Sequence, residues 1–341
     1  MEKIISSLDS PQWIAITHAS DIAAARRIGQ RMAQDEQFDD TRAGQLAIVI
    51  TEAATNMLKH AGDGRMLLSF ARAEQMVGID VLAFDQGPGI ASVAQALRDG
   101  VSSAGTAGTG LGAIKRLADQ FDVYAPRGKG AVFFMRLWRV AGAVVAPSHW
   151  GGVCLPLAGE TESGDAWAVA PQRRTMTLLM ADGLGHGPEA AKAAAAALHA
   201  MALQPSLRPA EQIEVCHAAL RPTRGAALAV AVLDPGLHQL HFAGIGNIGA
   251  CIVDGGPRRQ LVSHNGIVGH NLRKVQEFTL PCGPGALVIL ASDGISTQWE
   301  LDQYPGLTAC DPAIIAAVLL RDFARGRDDA SVLVLRCPEQ A

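Results

Sequence analysis

The second half of the chain is built from short apolar runs: 165–170 (DAWAVA), 175–181 (TMTLLMA), 226–234 (AALAVAVLD), 238–244 (HQLHFAG), 286–292 (ALVILAS) and 330–336 (ASVLVLR). Runs of this length, separated by turn-forming Gly, Pro and Asp, are too short for buried helices and read as strands. Helical stretches interrupt them near 188–203, 209–219 and 311–323. Many strands and few helices predict two stacked sheets flanked by helices. The first half is patterned differently. Leu46, Val49, Ile50, Ala53, Ala54 and Met57 recur at helical spacing over 43–60, and Ser20-Asp21 is expected to cap a helix over 22–34. Strands are expected over 66–71, 77–84, 121–125 and 131–138, with a helix near 111–120. Long helices beside hairpin-connected strands again predict an α+β layered domain.

Residues 141–151 (AGAVVAPSHWG) read as a linker, which makes 1–140 and 152–338 the expected domains of this 341-residue chain. No repeat relates the two halves. Hydrophobic residues make up 49% and charged residues 18%, enough apolar surface for two cores and too much for disorder. The net charge is −4, with no basic surplus in either half, so a nucleic-acid partner is not expected. No apolar stretch reaches the ~18 residues of a membrane span, and the first residues lack the pattern of a secretory signal. The six cysteines lie at least 27 residues apart, without metal-ligand or redox spacing. They are expected to be buried thiols of a cytoplasmic protein.

Three segments of the first half carry candidate chemistry. Glu52 and Asn56 stand four residues apart on the polar stripe of the 43–60 helix, so their side chains share a face. An amide oxygen is a hard ligand suited to Mg²⁺, and a carboxylate beside it can serve as general base. Asp85-Gln86-Gly87-Pro88-Gly89 follows an alternating strand, where an acid can accept from the exocyclic amine of a base. Gly105 to Gly112 (GTAGTGLG) opens the next helix, whose free N–H groups favour phosphate. Each segment alone has an ordinary explanation: a solvated helix face, a turn, a flexible loop.

Taken in order, the ExxxN helix, the DxGxG turn and the GTGLG loop resemble the Bergerat ATP-binding fold of the histidine-kinase-like ATPases. Within these, the closer resemblance is to anti-sigma-factor-type serine kinases of the RsbT and RsbW kind. It covers nearly all of 10–139, through DIAAARRIGQ, TEAATNMLKHAGDG, FDQGPGI and GTAGTGLGAIKRLADQFDV. The resemblance implies an α/β sandwich that binds ATP, with Mg²⁺ held through Asn56 and adenine read by Asp85. Gly87 and Gly89 would shape the pocket, and Gly108, Thr109, Gly110, Leu111 and Gly112 would cover the phosphates. Glu52 would deprotonate the attacking Ser or Thr hydroxyl. His60 matches a histidine of the RsbW-like members and is expected to cap or pack.

The second half places aspartates beside glycines at strand ends: Gly164-Asp165, Asp182-Gly183-Leu184-Gly185-His186-Gly187, Ser292-Asp293-Gly294 and Asp328-Asp329. Each Asp-Gly alone is first a turn. One folded edge could gather all of them, and carboxylates converging without cations repel. Divalent ions relieve that repulsion, and a donor set of oxygens alone points to Mg²⁺ or Mn²⁺ rather than Zn²⁺.

Collectively, GD, ADGLGHG, SDG and DDASVLVLR resemble the SpoIIE-type metal-dependent serine/threonine phosphatases, RsbX among them, over about 150–337. That resemblance implies a four-layer αββα sandwich with Asp165, Asp182, the Gly183 carbonyl, Asp293 and Asp328 on the metals. Asp329 is the less favoured of its pair, and His186 is expected to order its turn or to touch phosphate. The chain departs from many members in having no second acid soon after Gly164-Asp165, so a third metal position does not follow from the resemblance. The stretch Gly244–Asn247 (GIGN) is read as structural.

Together the two resemblances imply an enzyme that phosphorylates a STAS-domain antagonist or scaffold and dephosphorylates a phospho-STAS protein. The alternative is a phosphatase regulated by an ATP domain that only binds. A homodimer through the first strand and helix is a further possibility the resemblance raises.

Overall fold

The computed structural model describes residues 4–9, 11–73, 76–98, 110–143, 145, 148–272 and 274–339. The chain divides into two compact units, Asp9–Pro147 with Ala309–Ala317, and Met1–Leu8 with Ser148–Thr308 and Val318–Ala341.

Strand β1 (Ile5–Ser6) belongs to the second unit. The first unit runs β2 (Gln12–Ile16), α1 (Ala19–Asp35), α2 (Asp40–His60), β3 (Gly64–Ala73), β4 (Met76–Asp85), α3 (Val93–Ala96), α4 (Gly110–Leu117), β5 (Gln120–Tyr124) and β6 (Ala131–Trp138). Its sheet has the order β2-β3-β4-β6-β5, all pairs antiparallel. Alternate strand residues such as Met66, Leu68, Ile79, Val81, Phe133 and Met135 form one apolar face, which the helices cover. The apolar stripe of α2 (Leu46, Val49, Ile50, Ala53, Met57) lies in this core. Each such side chain contributes about 1.5–3 kcal/mol by leaving water. The same burial turns the opposite stripe, with Glu52 and Asn56, away from the core.

Helix α2 starts where Asp39 accepts a hydrogen bond from Arg42 N (2.7 Å), and its last turn carries Lys59 and His60 against the negative end of the dipole. Helix α1 begins earlier than the expected cap at Ser20-Asp21. Its cap is His18, and Asp21 reaches back from the first turn to accept from Thr17 N (2.9 Å) and His18 N (2.8 Å). Arg42, 4% exposed, ties three elements together. It donates through Nε to Trp138 O (2.8 Å) and through Nη1 to Leu117 O (3.3 Å), and it pairs with Asp119, which also accepts from Trp138 N. The start of α2 is thus fixed to the ends of α4 and β6.

The second unit holds β7 (Trp150–Leu155), β8 (Asp165–Pro171), β9 (Met176–Gly183), α5 (Pro188–Leu203), α6 (Pro209–Leu220), β10 (Ala226–Asp234), β11 (Gln239–Ile245), β12 (Gly249–Val253), β13 (Arg259–Gln260), β14 (Phe278–Pro281), β15 (Leu287–Ala291), the part of α7 (Pro312–Phe323) from Val318 onward, and β16 (Ala330–Arg336). Its sheets have the orders β1-β8-β9-β10-β11-β14 and β13-β12-β15-β16-β7. Trp167, Met180, Phe242, Leu290 and Leu333 belong to the core between the sheets. The other face of the first sheet packs under α5 and α6 through Ala168, Leu179, Leu228, Leu198 and Ile213. The outer side chains of the second sheet, Val153, Ile289, Val332 and Val334, are buried as well. The C-terminal part of α7 completes the αββα layering, with Val318 to Leu320 buried and its end tied to the loop after β15 by Ser296 N→Phe323 O and Arg325 N→Gly294 O.

Two details differ from the expected domains. Residues 150–151, read as linker, open β7, which pairs with β16. Residues 5–6, read with the first domain, pair instead with β8, and Ser7 exchanges bonds with Trp167: Ser7 N donates to Trp167 O, and Trp167 N donates to Ser7 Oγ, each at 2.9 Å. Ile5 is buried there, which gives so short a strand its hold.

Removing the Arg42 side chain leaves Asp119 and the Trp138 and Leu117 carbonyls without their donor. Arg42→Ala is expected to cost the first unit about 3–5 kcal/mol in denaturant unfolding, and a double cycle with Asp119→Ala to show strong coupling.

Candidate functional site

In the first unit, Glu52 and Asn56 stand half-buried one turn apart on α2. The first residue of α4 lies against them. A methyl group on Gly110 would sit 3.0 Å from Glu52 Oε2 and 3.5 Å from Asn56 Oδ1. Gly110 and Leu111 are half-buried and Gly112 is buried. Gly108 and Thr109 lie outside the described residues. Asp85 ends β4 and is 8% exposed; its Oδ1 accepts from Gly87 N (2.8 Å) and Ala131 N (3.2 Å), which fixes the carboxylate's direction. The turn beyond is laced to the β5–β6 loop by Ile90 N→Ala125 O, Gly128 N→Pro88 O and Gly130 N→Gly87 O. Gly89 has φ +70°, and a side chain there would come within 2.1 Å of Pro126 O, so this position requires glycine. His60 is exposed in the last turn of α2, whose cap is Ala61.

In the second unit, β8 and β9 pair so that Asp165 lies directly opposite Asp182. Opposed residues share a face, and this one is the inner face that Trp167 and Met180 also use. Both carboxylates therefore point between the sheets at one end of the sandwich. Asp293, following β15, and Asp328, preceding β16, arrive at the same end, since Ser292 N donates to Ser331 O and Ser331 N to Ser292 Oγ. Gly183 cannot carry a side chain, because a Cβ there would lie 2.2 Å from Ala190 O of α5. Asp329 is committed to the backbone: Oδ1 accepts from Leu157 N and Oδ2 from Gly164 N, both at 2.8 Å. Asp328 is exposed and accepts from Asp329 N (2.9 Å).

Burial pushes the Asp165 carboxyl up to about 7, with the charges of Asp329 and Asp293 adding to it. Burial pushes Asp182 up to about 8, reinforced by the charges of Asp165, Asp293, Asp328 and Asp329. Asp293 is raised by burial and by Asp328. Asp165 Oδ2 is buried without a hydrogen-bond partner.

Two polar contacts at this end went unread in the sequence. Asn247, in the stretch read as structural, donates to Asp293 Oδ2 (2.5 Å), and His186 Nδ1 meets Glu160 Oε1 at 2.7 Å. No spacing in the sequence relates either pair.

The donor set fits a hard divalent cation: it is all oxygen, mutually repelling and includes an orphaned buried carboxylate atom. Among the described residues, however, no three Asp, Glu, His or Cys side chains stand close enough to enclose an ion as placed. Asp293 is held by Asn247 and Asp328 by the Asp329 amide, so loading requires a side chain to turn.

Because the folded state holds Asp165 and Asp182 protonated above the unfolded carboxylate range, it binds more protons than the unfolded chain between about pH 4 and 8. Their contribution is present below the unfolded value and is lost as pH rises through 7 and 8. In chelator, the second unit is expected to melt lower at pH 8.5 than at pH 5.5. Asp182→Asn should flatten that slope in a scanning-fluorimetry series.

Residues 17–137 match the family described as the histidine kinase-like ATPase domain, and residues 172–338 match that of stage II sporulation protein E (SpoIIE). The serine/threonine-protein kinase RsbT of Bacillus subtilis (strain 168) is 34% identical over 110 residues, which are 32% of this chain and 83% of that protein. A chain of the solved structure "The bacterial stressosome: a modular system that has been adapted to control secondary messenger signaling" is 28% identical, with a TM-score of 0.52 over 55% of this chain and 98% of that one. The PP2C phosphatase domain of SpoIIE with a fragment of its regulatory domain, from Bacillus subtilis, is 18% identical, with a TM-score of 0.49 over 95% of this chain and 96% of that one. No helix among the described residues is long and apolar enough to cross a membrane. The chain belongs to the histidine kinase-like ATPase family, as a homologue of RsbT, and carries in its second unit a SpoIIE domain of the PP2C-type serine/threonine phosphatase fold.

Proposed function

We propose that this chain is a bifunctional partner-switching enzyme. Its first unit transfers the γ-phosphoryl group of ATP to Ser or Thr of a STAS-domain protein. Its second unit hydrolyses phospho-Ser or phospho-Thr on such a protein. The observation that carries the reading is the coexistence of two unlike polar sites: a Glu52–Asn56 face closed by the first turn of α4, and a carboxylate end of the sandwich.

In the first unit, Glu52 takes the proton of the attacking hydroxyl. Asp85, fixed by two backbone donors, accepts from the exocyclic amine of adenine. Free N–H groups at the start of α4, from Gly110 to Gly112, favour the phosphates. Asn56 would hold Mg²⁺, which when bound offsets phosphate charge.

In the second unit, Asp165, Asp182, the Gly183 carbonyl, Asp293 and Asp328 would hold Mg²⁺ or Mn²⁺. Bound there, the ions supply an activated water and polarise the phosphoryl oxygen. Asp329 keeps the Leu157 and Gly164 backbone in place. No Ser or Cys nucleophile is invoked. Carrying both activities on one chain raises their effective concentration around a shared partner.

Incubating the chain with labelled ATP and candidate STAS proteins tests the first activity. Glu52→Ala should lower label transfer by 100-fold or more while changing ATP affinity only a few-fold. Label-free binding by the unaltered chain would instead support a non-catalytic ATP module and overturn the bifunctional reading. For the second activity, Asp182→Ala should abolish Mn²⁺-dependent release of phosphate from a phospho-STAS protein. Glu52→Ala should leave that release unchanged.

A further inference from the structure

No disulfide joins any of the six cysteines; five are buried and Cys310 is half-buried. Two of them meet. Cys282 follows β14 at the edge of one sheet, and Cys337 follows β16 in the other. Cys282 N donates to His238 O (2.9 Å), Cys337 N donates to Ala286 O (2.7 Å), and Gly285 N donates to Cys337 O (2.9 Å), so the backbone on both sides is fixed. The Cys337 thiol rests 3.6 Å from Cys282 O, and both side chains are fully buried. We propose that Cys282 and Cys337 are a redox-reactive dithiol, which a peroxide converts to a disulfide that clasps the two sheets of the sandwich.

The two thiols are unequal. The contact between the two thiols pulls Cys337 below its ordinary range, while that contact and burial push Cys282 up. Cys337 directly follows β16, beside the end stretch, so opening there exposes it first and makes it the nucleophile. Its sulfur gives up its proton and attacks one peroxide oxygen, the O–O bond breaks, and the leaving hydroxide takes that proton, so that a sulfenic acid and water result. The Cys282 sulfur then attacks the Cys337 sulfur, the S–O bond breaks, and a second water leaves with the Cys282 proton. Two thiols and one peroxide thus give one disulfide and two waters. Because both sulfurs are buried, the first step requires local opening of the stretch from Cys337 to Glu339, which lies beyond β16.

Position separates this site from the carboxylates. Asp328 and Asp329 precede β16 and Cys337 follows it; Asp293 follows β15, and Ala286 precedes it. The thiols lie at the opposite end of the sandwich, and the clasp leaves the metal-ligand candidates untouched. It joins residues 55 apart, a loop long enough to restrict the unfolded chain substantially.

The full chain, purified under reducing conditions, is treated with hydrogen peroxide and mapped by non-reducing peptide mass spectrometry. The expected product is one intramolecular Cys282–Cys337 link per chain, two hydrogens lighter. It should come with a melting-temperature rise of about 5 °C or more that dithiothreitol reverses. Cys310→Ser should behave like the unaltered chain, whereas Cys282→Ser and Cys337→Ser should show no rise. Oxidation confined to Cys310, a link without a rise in melting temperature, or a rise that persists in Cys337→Ser each overturns the proposal. Should the serine variants fail to fold, mapping and reversal in the unaltered chain decide it alone.

Discussion

The register that sets Asp165 opposite Asp182 across β8 and β9 governs the second unit. Side-chain period two in a strand allows a carboxylate only two directions, and the neighbours Trp167 and Met180 determine which. Their apolar bulk belongs between the sheets, so the aspartates two residues away on the same face go there too. Hydrophobic burial thus forces two acids into a place that charge alone disfavours. The consequence is visible in the raised affinity of both carboxyls for protons. A site that prefers protons over no cation prefers a divalent cation still more, and this is how packing generates chemistry here.

The first unit reaches its site by the opposite route. Glu52 and Asn56 are where they are because the apolar stripe of α2 leaves only one side for polar groups. The helix can still slide or rotate on such a stripe, and Arg42 removes that freedom by binding backbone carbonyls at the ends of α4 and β6. The helix that bears the candidate base and the helix that faces it share one buried guanidinium. The geometry between Glu52 and Gly110 therefore rests on a contact more than a turn away from either.

Much of this was legible in the sequence because it is local. The 43–60 periodicity located α2, and Gly, Pro and Asp bounded β8, β9, β10, β11, β15 and β16, while the short β12, β13 and β14 went unread. The Asp-Gly pairs marked the strand ends that converge. What was missed is non-local. Nothing in residues 5–6 announces that they pair with β8, because a two-residue strand has no period and its partner lies more than 160 positions away. Asn247 read as part of a glycine-rich turn, since its contact with Asp293 exists only after β12 and β15 pair. The α1 cap was misplaced by two residues because Asp21 serves as the third helical residue reaching back, and the spacing alone did not separate that from capping at Ser20-Asp21. Arg42 was unremarked, as a single arginine in a helical stripe usually faces water.

The sandwich is thus unlike at its two ends, and the difference follows from what each kind of group does on burial. Thiols behave as small hydrophobes, so Cys282 and Cys337 pack fully and add cohesion at the end of the sandwich away from the aspartates. Carboxylates resist burial, so the opposite end is kept partly open: Asp328 is exposed, Asp182 half-exposed, and Asp293 held aside by Asn247. A fold whose cohesion is concentrated away from its reactive groups can let those groups turn without loosening its core. That separation allows the four acids to crowd one another while the sheets that carry them stay in register, and it is imposed by the chemistry of the side chains at each strand's two ends.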